Sequence, residues 1–396
     1  MFTFEFIPNM DCNLDCYFCF ASKKDNKERI KPDELLKTLN LIEKISEDDK
    51  LFIKIYGGES FLYIDNLKKY LLTIQDFIKH TNMKVLCAIV TNGTIMPLDF
   101  LEFLKNKLNY NVSLSFSFEI NEEFQNKIRH YKNHPNIGSY DIVTKNLKFY
   151  KEFMQLDKVH LQSVITPELL LNVDKYIEFM EKFKNDYQFD LNPMFDDTFS
   201  NYDSDILDNM KILFDYYIKK IKEKDADHIG LFQPTRSIIS FFMKEYGGTN
   251  THCSAGVNQI TLIANGDIYP CSKNYHLGNF NLKYGNIKES IDCLSDKINS
   301  QKQLYSLLIS YDEKCNECKS IKKFGCLGDC MAERINYNNI HYEWVCKYNE
   351  VFGKETLRMV KELKNNEYFL NKIYHNPNAS IPGFNEILLS KIKKFN

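Results

Sequence analysis

The chain has 396 residues, 44% of them apolar and 26% charged, with a formal net charge of −2. That length holds one barrel-sized domain and a smaller one, and the scattered, balanced charge excludes a basic nucleic-acid stripe and an acidic disordered tail. With no leader-like N-terminus and no apolar run of 18 residues, the expectation is a cytoplasmic protein without a membrane partner.

The apolar alternation Phe2–Ile7 predicts a first strand, and Pro32 opens a helical pattern through Leu35, Leu36, Leu39, Ile42 and Ile45. Strand Leu51–Tyr56, helix Leu67–Ile78, strand Val85–Thr91 and a helix after Pro97 are expected next. Strands near Val112–Phe118, Val159–Ile165 and Phe189–Pro193 follow, with helices around Ile142–Phe153 and Leu169–Phe183 between them. Six such βα-like units predict a parallel sheet with helices outside, either an open barrel or a doubly wound sheet. Helices Ile206–Ile221 and Ser237–Tyr246 read as a connector. Gln259–Ile263, a turn at Asn265-Gly266-Asp267 and Ile268–Tyr269 then predict a hairpin, because Asn-Gly is a strong turn signal. A cysteine-dense segment up to Cys346, an amphipathic helix near Val351–Leu363 and a Pro/Asn/Gly-rich tail complete the chain.

Twelve cysteines in a leaderless chain fit metal ligation better than a disulfide framework. Cys12-x3-Cys16-x2-Cys19 directly follows the first strand. Three soft thiolates there suit an iron–sulfur cluster, whose closed form needs four; a zinc site short of a ligand, or three core thiols, are the plainer readings. Functional groups of a βα barrel gather on the loops after its strands. Four motifs fall there: Cys12–Cys19 after the first strand, Gly57-Gly58-Glu59-Ser60 after the second, Thr91-Asn92-Gly93-Thr94 after the third, and Ser117 with Glu119 at the fourth. Cys87, inside a strand, reads as core. Further on, Cys253, Gly266-x4-Cys271, Cys315-x2-Cys318-x7-Cys326-x3-Cys330 and Cys346 exceed what one zinc site uses.

Cys12-x3-Cys16-x2-Cys19, with Phe18 before the third cysteine, resembles the radical S-adenosylmethionine (SAM) superfamily, and the later array resembles the SPASM domain found in some of its members. The resemblance implies an α/β protein: a partial (β/α)6 TIM-like barrel over residues 1–200, a helical connector over 201–250, a small cysteine-rich SPASM domain with a short hairpin and helices over 251–350, and a C-terminal helix and tail over 351–396. Three 4Fe–4S clusters are implied. The first uses Cys12, Cys16 and Cys19 and leaves one iron for the amino and carboxylate groups of SAM. The outer auxiliary cluster uses Cys315, Cys318, Cys326 and Cys346, and the inner one uses Cys253, Cys271 and Cys330. For the inner cluster, a fourth ligand from Cys293, His252 or His276 and an open iron that binds a substrate thiolate or conducts electrons all remain alternatives. Gly57, Gly58 and Glu59 would hold the SAM ammonium, Ser117 the ribose, Arg129 the carboxylate and Phe18 the adenine, with Asn92 and Thr94 lining the cavity. The bland counterparts are turns at 57–59 and 92–94, a helix-surface Arg129 and a wedged Phe18. Glu119 stands where the family usually has Asp, and Gln162 faces one side of its strand or the other.

The activity so implied is reductive cleavage of SAM to a 5′-deoxyadenosyl radical that takes hydrogen from a ribosomally made peptide, followed by a thioether or carbon–carbon crosslink. Sulfatase-maturing members carry Cys where this chain has Gln259 and Asp where it has Ser272, and both departures favour the peptide-crosslinking branch. Sulfatase maturation or another peptide oxidation is the second expectation, and an iron–sulfur electron carrier the non-enzymatic one. Expected partners are a peptide substrate and an electron donor such as ferredoxin or flavodoxin. A leader peptide would be bound by a separate protein, by an edge strand or by the tail, with strand addition as the expected mode.

Overall fold

A computed structural model of the chain describes residues 1–19, 21, 29–119, 121–193, 202, 204–243, 254–310, 318, 330, 332, 343–374 and 384–395. Cys253, Cys315, Cys326 and His252 lie outside these residues, as does the predicted end of the second connector helix beyond Met243. Two compact units are formed, one by Met1–His160 with Ser254–Ser306, the other by Leu161–Cys253 with Leu307–Asn396.

In the first unit β1 (Phe2–Ile7), β2 (Lys50–Ile55), β3 (Lys84–Thr91) and β4 (Val112–Ser117) pair in parallel, each with the next. The crossovers carry α1 (Pro32–Ile45), α2 (Ile64–Ile78) and α3 (Leu98–Asn106). Every strand joins on the same side of its predecessor, which is the winding of a barrel; a doubly wound sheet starts in the middle and reverses. Two-residue alternation buries Phe2, Phe4, Phe6, Leu51, Ile53 and Ile55 on one face, where Phe6 meets Tyr70 of α2 edge-on at 5.0 Å. Glu5 on the opposite face is flanked in register by Lys54 of β2. Helix α1 begins where Pro32 fits the first turn and the Glu34 side chain accepts from Lys31 N at 2.8 Å. Helix α4 (Glu122–Ile128), absent from the sequence expectation, is capped by Asn121, whose side chain accepts from Phe124 N at 2.9 Å. It is followed by α5 (Tyr140–Met154).

Strands β5 (Val159–Ile165) and β6 (Tyr187–Pro193) are neighbours, linked by α6 (Pro167–Leu171) and α7 (Val173–Phe183). A single helix was expected there. The break comes at Asn172, whose backbone (φ −125°, ψ 32°) has left the helical region. Helices α8 (Met210–Lys222) and α9 (Phe232–Met243) follow. Phe214 of α8 meets Phe352 edge-on at 5.4 Å, within a helix that runs over Glu343–Leu363 and so starts earlier than its apolar period indicated. The stretch read as a tail contains two more helices, Glu367–Tyr374 and Phe384–Lys393. Phe369, Leu370 and Ile373 are buried at helical spacing, a short signal that the Pro and Gly between the two helices outweighed.

Back in the first unit, β7 (Gln259–Ile263) pairs in parallel with β1 on the side away from β2. A turn then returns β8 (Asp267–Tyr269) antiparallel, as expected, and β9 (Gly285–Asn286) adds beside it. Gly266 supplies the left-handed position at φ +86°. Packing therefore makes the hairpin an extension of the sheet begun by β1. Helix α10 (Ser272–His276) and the 20-residue α11 (Ile291–Ser310) lie in the cysteine-dense segment. Among the described residues no helix is long and apolar enough to cross a membrane.

Candidate active site

Cys12, Cys16 and Cys19 lie on the loop after β1, and backbone pairing fixes that loop on two sides. On one side the Gly-Gly-Glu loop continues the β1–β2 ladder: Tyr56 N donates to Phe6 O (3.0 Å), Gly58 N to Asn9 O (3.2 Å) and Glu59 N to Asp11 O (2.6 Å). On the other side Asp15 N donates to His130 O (2.9 Å) and Lys132 N to Asn13 O (3.0 Å). The two glycines are needed for this first contact. A Cβ on Gly58 would stand 1.8 Å from the Asp11 carbonyl oxygen, and one on Gly57, at φ +151°, 2.4 Å from that of Asn9. Their smallness thus brings the Glu59 loop against the base of the cysteine loop.

Glu59 is fully buried, and its carboxylate is a hub. Oε1 accepts from Phe61 N (2.9 Å) and Thr91 Oγ1 (2.7 Å), and Oε2 from Asn92 N (2.7 Å). Burial pushes its pKa up, opposed by these three donors. Glu59 therefore ties the loop after β2 to the end of β3. Asn92 extends the tie: Nδ2 donates to Asn13 Oδ1 (2.8 Å) and points at Cys12 Sγ (3.9 Å), while Oδ1 accepts from Thr94 N and Oγ1 (3.0 and 2.7 Å). The turn expected as one alternative at 92–94 is formed, and Asn92 reaches from it to the cysteine loop.

Arg129 is not on a helix surface. It ends α4, is 6% exposed, and pairs with buried Glu119 through Nε (3.1 Å) and NH2 (2.8 Å), both to Oε1. Its NH1 faces Cys16 Sγ at 3.8 Å, and the guanidinium lies 5.0 Å from the centre of the Phe18 ring. Glu119, the departure from the usual Asp, is the residue that aims it. Ser117 closes β4 half-buried.

Sequence reasoning missed Asn9, Asp11, Asn13, Arg29 and Tyr63. Asp11 Oδ2 accepts from Arg29 NH2 (2.6 Å) and from the Tyr63 hydroxyl, and Arg29 stacks 3.9 Å from the Tyr63 ring centre, which clamps the outside of the loop. Asn9 is 3% exposed; its Nδ2 donates to Glu59 O (3.3 Å), and its Oδ1 has no partner among the described residues. No period or motif marks these five, whose partners are distant in sequence.

The donor set fits an anionic cluster with an ammonium ligand beside it. Leu14 N (3.4 Å) and Asn92 Nδ2 (3.9 Å) are directed at Cys12 Sγ and Arg129 NH1 at Cys16 Sγ (3.8 Å), so thiolates would be met by hydrogen-bond donors. The orphaned Asn9 acceptor beside the Glu59 carbonyl suits a cation. Burial, with charge at Glu59, Cys16 and Cys19 nearby, pushes the free Cys12 thiol up to about 12. Among the described residues no three His, Cys, Asp or Glu side chains are gathered tightly enough for a single metal ion; a cubane spreads its cysteines more widely than one ion does.

Of the later cysteines, Cys271 is buried at the start of α10, Cys318 and Cys330 are half-buried, and Cys346 is exposed. Cys293 is exposed on α11 and contacts Glu289 Oε2 at 3.5 Å, and Cys87 is buried in β3 as expected of core.

A loop of three cysteines laced to the ends of successive parallel strands defines the class. Residues 6–179 match the family model for the Radical SAM superfamily, so the chain carries a domain of that kind there. Along 89% of its length it is 23% identical to a cysteine-type anaerobic sulfatase-maturating enzyme of Clostridium perfringens, covering 96% of that protein. Among solved structures, that of anSMEcpe with bound AdoMet and a Kp18Cys peptide superposes with a TM-score of 0.72 over 92% of this chain and 99% of the other, at 18% identity. Streptococcus suis SuiB bound to S-adenosylmethionine gives a TM-score of 0.59 over 84% of this chain and 74% of the other, at 19% identity. At such identities the structural likeness establishes the fold.

Proposed function

We propose that the protein is a peptide-modifying radical SAM enzyme that installs a thioether or carbon–carbon crosslink in a ribosomally made peptide. The observation that carries this reading is the packing of a second cysteine element on the base of the first. Ile7 and Met10, leading into the Cys12 loop, form one buried apolar cluster with Ile263, Ala264, Tyr269 and Tyr275, which flank Cys271, and Tyr56 packs against it. A site that only cleaved SAM has no use for a second cysteine element this close; an enzyme that oxidises its peptide, as crosslinking does, must also remove an electron, which a cluster held by Cys271 would accept.

Bound at the cluster, SAM supplies hydrogen-atom abstraction. The chain's own part is to hold and orient. Cys12, Cys16 and Cys19 ligate the cluster, Asn9 Oδ1 and the Glu59 loop receive the ammonium, Arg129 and Phe18 line the cluster side, and Ser117 takes the ribose. Two auxiliary clusters on Cys253, Cys271 and Cys330 and on Cys315, Cys318, Cys326 and Cys346, within a SPASM-like segment over 251–350, complete the assignment. A reduced ferredoxin or flavodoxin serves as donor, and a separate protein or a strand edge engages the leader peptide.

Similarity to a sulfatase-maturating enzyme along 89% of the chain supports a second reading, peptide oxidation without crosslinking. Against it stand Ser272 and Gln259: Ser272 Oγ is taken by the Tyr56 hydroxyl (2.6 Å), and the Gln259 amide by Ser254 Oγ (2.7 Å). The anaerobically reconstituted chain is expected to hold about twelve irons on cubane stoichiometry and to release 5′-deoxyadenosine when reduced with SAM. Alanine at Cys12, Cys16 and Cys19 should remove about four irons and all of that release. A chain that keeps SAM cleavage without these thiols would sink the assignment. Mass spectrometry then separates the two readings: loss of two hydrogens from a peptide encoded beside the gene, with a new thiol-free linkage, supports crosslinking, whereas oxidation of a sulfatase-derived peptide alone supports the other.

A further inference from the structure

The sulfur of Cys271 is met by a buried amide donor, with a buried, unpartnered hydroxyl in its electrostatic neighbourhood. Asn274, one turn further along α10 and fully buried, donates from Nδ2 to Cys271 Sγ at 3.2 Å. Its orientation is fixed, because Asn279 Nδ2 donates to Asn274 Oδ1 (3.2 Å) and Asn279 N to Asn274 O (2.8 Å). With its Oδ1 accepting from Asn279, the amide presents its N–H to the sulfur. Tyr284 approaches from another element: its backbone N donates to Ile268 O (2.9 Å), which seats it between β8 and β9. It is 2% exposed, and its hydroxyl has no partner among the described residues although it lies near enough to interact electrostatically with Cys271. A buried hydroxyl left unpaired is destabilising, a cost that phenylalanine would avoid. Its retention is explained by an acceptor that arrives with a ligand.

Resting on the reading that Cys271 ligates an auxiliary 4Fe–4S cluster, we propose that Asn274 and Tyr284 hydrogen-bond that cluster's sulfurs and raise its reduction potential, fitting it to accept the electron from the substrate. The reduced cluster carries one more negative charge than the oxidised one, so donors aimed at its sulfurs stabilise the reduced state more. Forming one bond between two X–H groups removes two hydrogens. One leaves as an atom to the SAM-derived radical, and the other leaves as a proton to water and an electron to the auxiliary cluster, which an external carrier reoxidises.

The test uses the full-length chain with Cys12, Cys16 and Cys19 replaced by alanine, reconstituted so that only auxiliary clusters remain, and titrated for reduction potential by electron paramagnetic resonance. Tyr284→Phe and Asn274→Leu should each move one of the two auxiliary signals to lower potential, the double variant furthest, with iron content unchanged and the other signal unmoved. If Asn274→Leu fails to hold iron, Tyr284→Phe decides alone, since it only deletes a hydroxyl that no described residue uses. An unshifted or raised potential at full iron content overturns the proposal. Failure of the underlying reading looks different: Cys271→Ala would then leave the iron content and both signals intact.

Discussion

Arg129→Met is expected to cost about 3–5 kcal/mol of folding stability, because it leaves the Glu119 carboxylate buried without its counter-charge. Both partners are shielded, Arg129 at 6% and Glu119 at 3% exposure, so solvent screening gives little relief. Methionine keeps most of the stem volume, which confines the loss to charge and hydrogen bonding. Urea unfolding of the cluster-free chain measures it, since bound iron would mask the term. Glu119→Gln on top of Arg129→Met should recover much of the loss, because it removes the stranded charge. Arg129→Lys should recover less, as a compact ammonium lacks the planar fork that aims two donors at Glu119 Oε1 while a third faces Cys16. Cluster assembly separates the two roles of Arg129: the double variant, though stable, still lacks the donor at Cys16 Sγ and the cation over Phe18, so SAM cleavage should stay depressed. A double variant as active as the parent would show that Arg129 acts only as the partner of Glu119.

How far this site was legible in the sequence follows from the kind of signal each residue leaves. Cys12, Cys16, Cys19, Gly57, Gly58 and Glu59 declare themselves by spacing and by standing after a strand, and the strands show a clean two-residue alternation. Phe2–Ile7, Val159–Ile165 and Gln259–Ile263 match to the residue, and other boundaries differ by a few positions. The winding direction was not legible, since alternation is the same in a barrel and in a doubly wound sheet; only the register of β1 to β4 decides. Nor was the pairing of β7 with β1, because partners such as Thr3 and Gln259 lie 256 positions apart and leave no local trace. Arg129 and Glu119 were noticed singly, but their contact depends on the short helix α4, whose seven residues carry too little period to identify. Asn9 is the plainest case: an asparagine next to a proline reads as a turn residue, and only the tertiary placement of Glu59 O reveals that its amide is oriented.

Gly58→Ala should be among the most damaging single-methyl additions in the first unit, costing about 3 kcal/mol or more. The obstruction at 1.8 Å is the Asp11 carbonyl oxygen, backbone with no rotamer to move aside. Relief requires the Gly-Gly-Glu loop to back away from Asn9–Asp11, which breaks the hydrogen bonds of Gly58 N and Glu59 N to that segment. Retreat also unseats a fully buried carboxylate from Phe61 N, Thr91 Oγ1 and Asn92 N. The loss should therefore appear twice, as a lower urea midpoint and as weaker SAM binding at whatever iron content remains. Gly278→Ala supplies the comparison. Gly278, unlike Gly58, has a left-handed backbone, at φ +79°, and an added Cβ there meets only Phe280 Cε2 at 3.9 Å. Its cost should be the conformational one alone, about 1–2 kcal/mol, with SAM binding untouched. Equal effects of the two substitutions on SAM binding would mean that the close approach of the Glu59 loop to the Cys12 loop does not shape the site.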